Sequence, residues 1–322
     1  MISFIVLTYN HENYILDCLN SILYQIINYG NEFVFELIIA DDCSADDTCK
    51  LVEKWIEHNS IYFKSIEFIK RKENVGTCCN YLNAISYVNG DKLKAIAGDD
   101  LFPSNNIIKY FELLNSYDII YGIPFEYYED ISMKESINNY VSNEIYEMIN
   151  SKFSFENRIK KGCFLNAPAT FVNIRLLKDP RVLSFMSEFK YVDDYCQWLK
   201  FIDIKRINAL FVSEYFMVYR RTLNSACIIR NDDVRKEKIR LYKKVLFSNT
   251  KISILFMQLN NIIVTLINKP FAYKYFVIPN YKLFLYKKII LIKNLKINVN
   301  EIEKKILTNI EYIKKIGGKK NE

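Results

Sequence analysis

The pattern of apolar and polar positions alternates between short continuous apolar runs and longer stretches of helical spacing. Ile2–Leu7 is the first run, suited to a strand covered on both faces. It breaks at Thr8-Tyr9-Asn10-His11, and a helical pattern follows through Tyr14, Ile15, Cys18, Leu19, Ile22 and Leu23. Phe35–Ala40 is a second strand-like run, ending at Asp41-Asp42, after which Asp46 and Asp47 open a helix through Leu51, Val52, Trp55 and Ile56. Ser65–Ile69 then reads as a strand, Gly76–Val88 as a helix, and Leu93–Ala97 as a strand stopping at Gly98-Asp99-Asp100. A helix over Ser104–Leu114 and a strand over Asp118–Tyr121 follow. This order predicts an α/β fold with a doubly wound, mostly parallel sheet and short loops.

Later segments are less regular. Tyr127–Asn157 is weakly patterned and polar, and reads as irregular or as a helical insertion. A short apolar stretch lies in Gly162–Leu177, Asp193-Asp194 opens a helix, and Leu210–Tyr219 is strand-like, ending at Arg220-Arg221. Beyond Asp232 the chain is basic and apolar with helical spacing.

Ligands of such sheets sit outside the carboxyl ends of the strands. Tyr9-Asn10, Asp41-Asp42 and Asp99-Asp100 all follow predicted strand ends, so three polar clusters converge on one edge. Each has a plain structural reading: capping for Asp46, Asp47 and Thr48, a turn before Pro103 for Asp99-Asp100, an N-cap for Asn74, and a helix-start dipole pair for Asp193-Asp194. Their chemical readings differ. Asp41 and Asp42 precede the turn and suit hydrogen bonds to a nucleobase or ribose, with Tyr9 stacking on the base. The Asp99-Asp100 pair suits Mg²⁺ or Mn²⁺ shared with a diphosphate. Asn74-Val75-Gly76 precedes a helix start that could receive a polar ligand group. One carboxylate of Asp193-Asp194 suits a general base. Arg220 and Arg221 suit phosphates or surface acids.

Several of these segments form a pattern. "FIVLTYNHENYILDCLNSILYQ", "FELIIADDCSADDT", "ENVGTCCNYLNA", "AIAGDD" and "DDYCQWLKF" occur in that order. The chain resembles, over about residues 1–225, the family 2 glycosyltransferases of the GT-A fold, which are inverting and use nucleotide sugars. That resemblance implies a mostly parallel central sheet flanked by helices. It implies Tyr9 packing on the nucleobase, Asp42 with Asp41 contacting base or ribose, and Asn74 near the sugar nucleotide. It also implies Asp99 and Asp100 as a DxD-type metal motif with Asp100 as the direct ligand, and Asp194 as the base toward the acceptor. Asn10 and Arg221 are placed with the donor. Ala97 stands where relatives often carry an acidic or hydroxylated residue, and Thr222 where many carry His.

Composition adds a division. From Leu241 onward 16 Lys face 4 Glu, a charge of +12, and the total of +7 leaves −5 for residues 1–240. The expected organisation is a catalytic domain over 1–230, with a nucleotide-sugar half (1–122) and an acceptor half (123–230), then a basic, mainly helical C-terminal extension over 231–322. Two readings of that extension stand: packing on the catalytic domain or a second subunit, and peripheral contact with the inner face of an anionic membrane where lipid-linked acceptors are presented. The stretch 251–268 has the length of a membrane span, but Gln258, Asn260, Asn261 and Asn268 weaken it. No recognition motif supports nucleic-acid binding. Two His and eight Cys without a CxxC pair argue against zinc, and the absence of a signal-peptide pattern predicts a cytoplasmic protein with reduced thiols.

The expected activity is transfer of a sugar from a nucleotide diphosphate donor, UDP-linked in the first instance, to a bacterial surface-glycan or lipid-linked acceptor. The rivals are glycoside hydrolysis, which also uses two carboxylates, and an inactive, binding-only relative.

Overall fold

A computed structural model describes residues 1–128, 154–162, 165–221, 232–248 and a few positions between 251 and 308. Residues 129–153 of the weakly patterned segment, Thr222 and most of the basic extension therefore lie outside the described residues.

Seven strands form one sheet: β1 (Ile2–Thr8), β2 (Phe35–Asp41), β3 (Ser65–Lys70), β4 (Lys92–Ala97), β5 (Ile119–Tyr128), β6 (Thr170–Asn173) and β7 (Ala209–Arg221), in the order β3-β2-β1-β4-β6-β5-β7. The first four pair parallel, β6 is antiparallel to both its neighbours, and β5 pairs parallel with β7. The mixed α/β, mostly parallel sheet expected from the alternation is thus present. Each residue of β2 is buried, as an apolar run covered on both faces requires.

Side chains alternate between two cores along β1 and β2. Phe4, Val6, Leu37 and Ile39 pack with helices α1 (Ile15–Tyr29) and α2 (Thr48–Asn59). Ile5, Ile38 and Ala40 pack on the other side with α3 (Thr77–Ser86), and with α7 (Pro180–Met186) and α8 (Asp193–Ile204) beyond it. Three short helices complete the body before α8: α4 (Tyr110–Leu113), α5 (Phe155–Lys161) and α6 (Ile174–Leu177). Fully burying a large aliphatic or aromatic side chain stabilises by about 1.5–3 kcal/mol, so each of the two cores can hold its helices against the sheet.

Two local readings differ from the sequence pattern. The helix expected over Ser104–Leu114 is reduced to α4. The Gln25 side chain of α1 donates to the carbonyls of Pro103 (2.5 Å) and Asn105 (2.9 Å) and accepts from the Ile107 amide, and Tyr29 Oη donates to Ser104 O. Backbone groups that would have joined a helix are satisfied by α1 instead. The apolar run assigned to β4 also hides a buried lysine. Lys94 Nζ donates to Pro168 O (2.5 Å) and Thr170 O (2.9 Å) and lies 4.4 Å from the Phe171 ring centre, and burial drives its pKa well down. β4 and β6 pair only through Lys92–Asn173 and Leu93–Val172, and Lys94 satisfies carbonyls further along.

Helix α9 (Asp232–Phe247) begins beyond the expected boundary at 230 yet packs on the body. Leu241 is fully buried in the core that holds α8, and Tyr242 lies against Tyr195 with ring centres 5.8 Å apart. Further on, Gln258 donates to Lys160 O and Asn261 to Lys161 O. No helix among the described residues is long and apolar enough to cross a membrane.

Candidate active site

The carboxyl ends of β1, β2 and β4 carry the predicted clusters, and the parallel ladder brings them side by side: Thr8 pairs with Asp41, and Leu7 with Ala97. The loops after β1 and β2 are stitched together. The Asn10 amide donates to Ser44 Oγ (2.8 Å), the Ala45 amide to Asn10 Oδ1 (2.8 Å), the His11 amide to Thr48 Oγ1 (2.8 Å) and the Glu12 amide to Asp46 Oδ2 (3.0 Å). Asn10 holds a left-handed φ of 54°, which Asn tolerates better than most residues. Tyr9, one residue earlier, is left 45% exposed at this edge, an open aromatic face.

Asp41 and Asp42 are both buried and both answered. Asp41 accepts from the Ser44 amide (2.8 Å) and the Ser44 hydroxyl. Asp42 accepts from the amides of Val75 (2.9 Å) and Gly76 (2.8 Å) and so caps the start of α3 from a neighbouring loop. Burial pushes the Asp42 pKa up, against the pull of those two amides and of Arg71, and the Asp41 charge adds to the rise. Asn74, read as an N-cap, is exposed and donates to Asp42 O at 3.3 Å, while the N-cap of α3 is Gly76 at φ 86°. A side chain at Gly76 would meet Lys190 O at 2.6 Å, so glycine serves both the dihedral and the close approach.

The adjacent acids after β4 occupy different environments. Asp100 is fully buried, and its Oδ1 accepts from the Arg220 amide (2.9 Å), beside a two-way backbone pairing of Leu101 with Val218. The buried Arg220 guanidinium in turn donates to Asp17 Oδ2 (2.8 Å) and lies 4.8 Å from the Tyr14 ring centre. Asp99 is less buried, with 19% of its side chain exposed and Oδ1 3.9 Å from His11 Nε2. Gly98 lets this turn close on the first loop, since a Cβ there would meet His11 Nδ1 at 2.9 Å and Thr8 Oγ1 at 3.0 Å.

Asp193 and Asp194 form the first turn of α8. Asp194 Oδ1 accepts from the Tyr195 amide (2.6 Å), and Cys196 Sγ donates to Asp193 O (3.2 Å). Burial, then the charge of Asp194, raises the Asp193 pKa to about 7. The α8 start is tied to α3, because the Cys78 amide donates to Lys190 O (3.0 Å). Of the two late arginines, Arg221 ends β7 paired with Tyr128, and the side chain of Arg220 is buried.

The sequence reading passed over His11, Asp17 and Glu237. His11 had a signal, since it directly follows Tyr9-Asn10 at the strand end. Asp17 sits within an ordinary helical pattern and Glu237 on a distant charged helix, and neither carries a local mark.

These features coincide with a known family. The Glycosyl transferase family 2 model matches residues 3–175. The chain belongs to glycosyl transferase family 2. It is 26% identical over 213 residues to an uncharacterized glycosyltransferase of Rickettsia typhi, covering 64% of this chain and 60% of that protein. It is 25% identical over 231 residues to poly(ribitol-phosphate) beta-N-acetylglucosaminyltransferase TarS of Staphylococcus aureus, covering 68% of this chain and 35% of TarS. The chain thus spans less than two thirds of the length of either relative. The structure of S. aureus TarS 1–349 in complex with UDP-GlcNAc superposes with a TM-score of 0.57 at 18% identity, covering 85% of this chain and 74% of that one. A mannosyltransferase from Pyrobaculum calidifontis in complex with GDP-Man and Mn²⁺ superposes with a TM-score of 0.53 at 13% identity, covering 100% and 88%. At those identities the likeness concerns the fold, which is GT-A.

Proposed function

We propose that this family 2 chain transfers a glycosyl group from a nucleotide diphosphate sugar, UDP-linked in the first instance, to a hydroxyl of a bacterial surface-glycan or lipid-linked acceptor, with inversion. The observation that carries the reading is the meeting of Tyr9, Asp42 and Asp99 at one strand edge, the place where open parallel sheets take their ligands. Relatives and neighbours support it: TarS is a poly(ribitol-phosphate) beta-N-acetylglucosaminyltransferase, and the fold neighbours hold UDP-GlcNAc and GDP-Man.

Tyr9 offers an exposed ring for a nucleobase. Asp41 and Asp42 keep lone pairs beyond their protein partners, which suit base or ribose donors, and Asn10 and Asn74 flank them. Arg221 completes the donor assignments.

A divalent cation, Mg²⁺ or Mn²⁺, fits the residues present. No cluster of three His, Cys, Asp or Glu capable of holding an ion occurs among the described residues. Such ions, however, are commonly held by one or two carboxylates plus substrate phosphates. The resemblance makes Asp100 the direct ligand, but Asp100 is fully buried with Oδ1 taken by the Arg220 amide, so Asp99, the less buried carboxylate, would hold the ion in its place while Asp100 fixes the turn. When bound, the cation supplies positive charge against the departing diphosphate.

Asp194 acts as general base: its carboxylate takes the acceptor proton as the acceptor oxygen attacks the anomeric carbon and the bond to the diphosphate breaks. Asp193 sits beside it, and its proton, held to about pH 7, keeps the pair from carrying two charges below that pH. Asp194→Asn should lower transfer by about 10²–10⁴-fold while leaving donor binding intact. Donor hydrolysis and transfer both at wild-type rates in that variant would contradict the assignment.

A binding-only role is the second reading, motivated by Ala97 at the end of β4, whose methyl side chain offers no polar contact. Turnover of any nucleotide sugar by the wild-type chain excludes it.

A further inference from the structure

Glu237 lies on α9, outside the expected catalytic domain, yet its carboxylate reaches the segment that leads into α8. Oε1 accepts from the Lys190 amide (2.8 Å), and Oε2 accepts from the amides of Tyr191 (3.0 Å) and Val192 (3.1 Å). Val192 is the N-cap of α8 and has no side-chain capping bond of its own. Of these three amides only that of Val192 belongs to the helix start, the first-turn amide of Tyr195 being answered by Asp194, so the Glu237 carboxylate chiefly fixes the residues that enter α8, with charge-assisted bonds favoured by the helix dipole.

The same segment is gripped from the opposite side. The Cys78 amide of α3 donates to Lys190 O, and Gly76 carries no side chain where Lys190 passes. Residues 190–192 are therefore held between α3, whose start is capped by Asp42, and α9. Asp193 and Asp194 follow at once. An open surface depression of about 430 Å³ is lined by Asn74, Val75, Lys190 and Glu237 together, so the grip borders the same depression as the Asn74 loop.

Helix α9 has an independent anchor. Arg240 donates to Glu188 O (3.1 Å) and Glu188 Oε2 (2.5 Å), Lys244 Nζ donates to Glu188 Oε2 (3.0 Å), and Leu241 is buried. Docking of the helix and capping by Glu237 can therefore be separated by mutation.

We infer that Glu237 is a positioning residue for the α8 acid pair: helix α9 reaches back to set where Asp193 and Asp194 stand. The inference rests on the reading of Asp194 as the acceptor base. A displacement of about 1 Å at a reacting group can cost about 100-fold in rate, so the cap has kinetic weight without touching substrate.

The test uses the full chain with three variants, Glu237→Ala, Glu237→Gln and Arg240→Ala. The donor probes are UDP-N-acetylglucosamine, UDP-glucose and GDP-mannose with Mn²⁺, and backbone amide exchange is followed across 187–198. Glu237→Ala should lower kcat per folded molecule by about 10- to 100-fold, with donor KM within about twofold and faster exchange at 190–194. Glu237→Gln should fall between, because its one amide oxygen can still accept from Tyr191 and Val192. Arg240→Ala should stay within about twofold of wild type in kcat. An unchanged kcat in Glu237→Ala, or an equal loss in Arg240→Ala, overturns the inference. If the wild type turns over none of these donors, the proposed reaction fails for them, and the exchange decides the positional role alone. Unchanged protection at 190–194 in Glu237→Ala then refutes it.

Discussion

At the amino end of the parallel strands, Glu36 is buried, and donors converge on its carboxylate: the Ser3 hydroxyl, the amides of Asn89 (2.7 Å) and Gly90 (2.8 Å), and Asn89 Nδ2 (3.2 Å). Burial alone would raise its pKa, and those donors outweigh burial and hold it below the ordinary range. At the carboxyl end of the same sheet the balance is divided: donors from Thr48 and Glu12 lower Asp46, whereas burial outweighs the donors at the acids proposed for the site. Asp42 stays raised despite two amides, and Asp193 reaches about 7 beside a second acid. Asp99 there keeps part of its surface open. One edge uses an acid to close the fold, and the other tolerates unfavourable acids where a ligand is proposed to bind. Carboxylates kept in costly surroundings are concentrated at functional sites, and this is the contrast the two edges offer for test.

The comparison can be broken by removing an acid from each edge. Glu36→Ala leaves the Ser3, Asn89 and Gly90 donors without their acceptor, and should cost about 3 kcal/mol or more of stability in denaturant unfolding. Nucleotide binding by the folded fraction should be unchanged, and a variant that unfolds at the wild-type midpoint would erase the contrast.

A smaller effect is the opposite pH response of the two edges. Glu36 has a depressed folded pKa, so its contribution is present above the unfolded value of about 4.5 and is lost as pH falls through the folded value. Asp193 has a raised folded pKa, so its contribution is fully present below about 3.8 and is lost as pH rises through about 7. Asp193→Asn should therefore gain stability relative to wild type at pH 8, on the order of 1 kcal/mol after discounting for partial exposure, and gain less at pH 5. Equal midpoint shifts at pH 5 and pH 8 would show that Asp193 titrates as an ordinary carboxylate.

Much of this division was written locally. The apolar runs of β1, β2 and β4 marked both the sheet and the edge where polar residues cluster, because a strand buried on both faces must end where polarity begins. Tyr9, Asp42 and Asp99 were visible as candidate site residues for that reason. What stayed hidden depends on long-range partners. The differing burial of Asp99 and Asp100 is set by Arg220 and by the Leu101–Val218 pairing, 120 residues from Asp100 in the first case. The tie from Glu237 to residues 190–192 likewise crosses about 46 residues and leaves no periodic trace. The burial of Lys94 within β4 left no local mark either, because the carbonyls that accept from it belong to Pro168 and Thr170.

The central claim is that the less buried acid of the β4 turn serves a nucleotide diphosphate and the fully buried one serves the fold. Calorimetric titration with UDP and with GDP, each with and without Mn²⁺, tests it most directly on the wild type, Asp99→Asn and Glu36→Gln. The account predicts Mn²⁺-dependent binding of one nucleotide by the wild type and by folded Glu36→Gln, and at least tenfold weaker binding by Asp99→Asn with its unfolding midpoint unchanged, a loss of about 1.4 kcal/mol or more. Equal nucleotide affinity in the wild type and Asp99→Asn, with the same Mn²⁺ dependence, would contradict it.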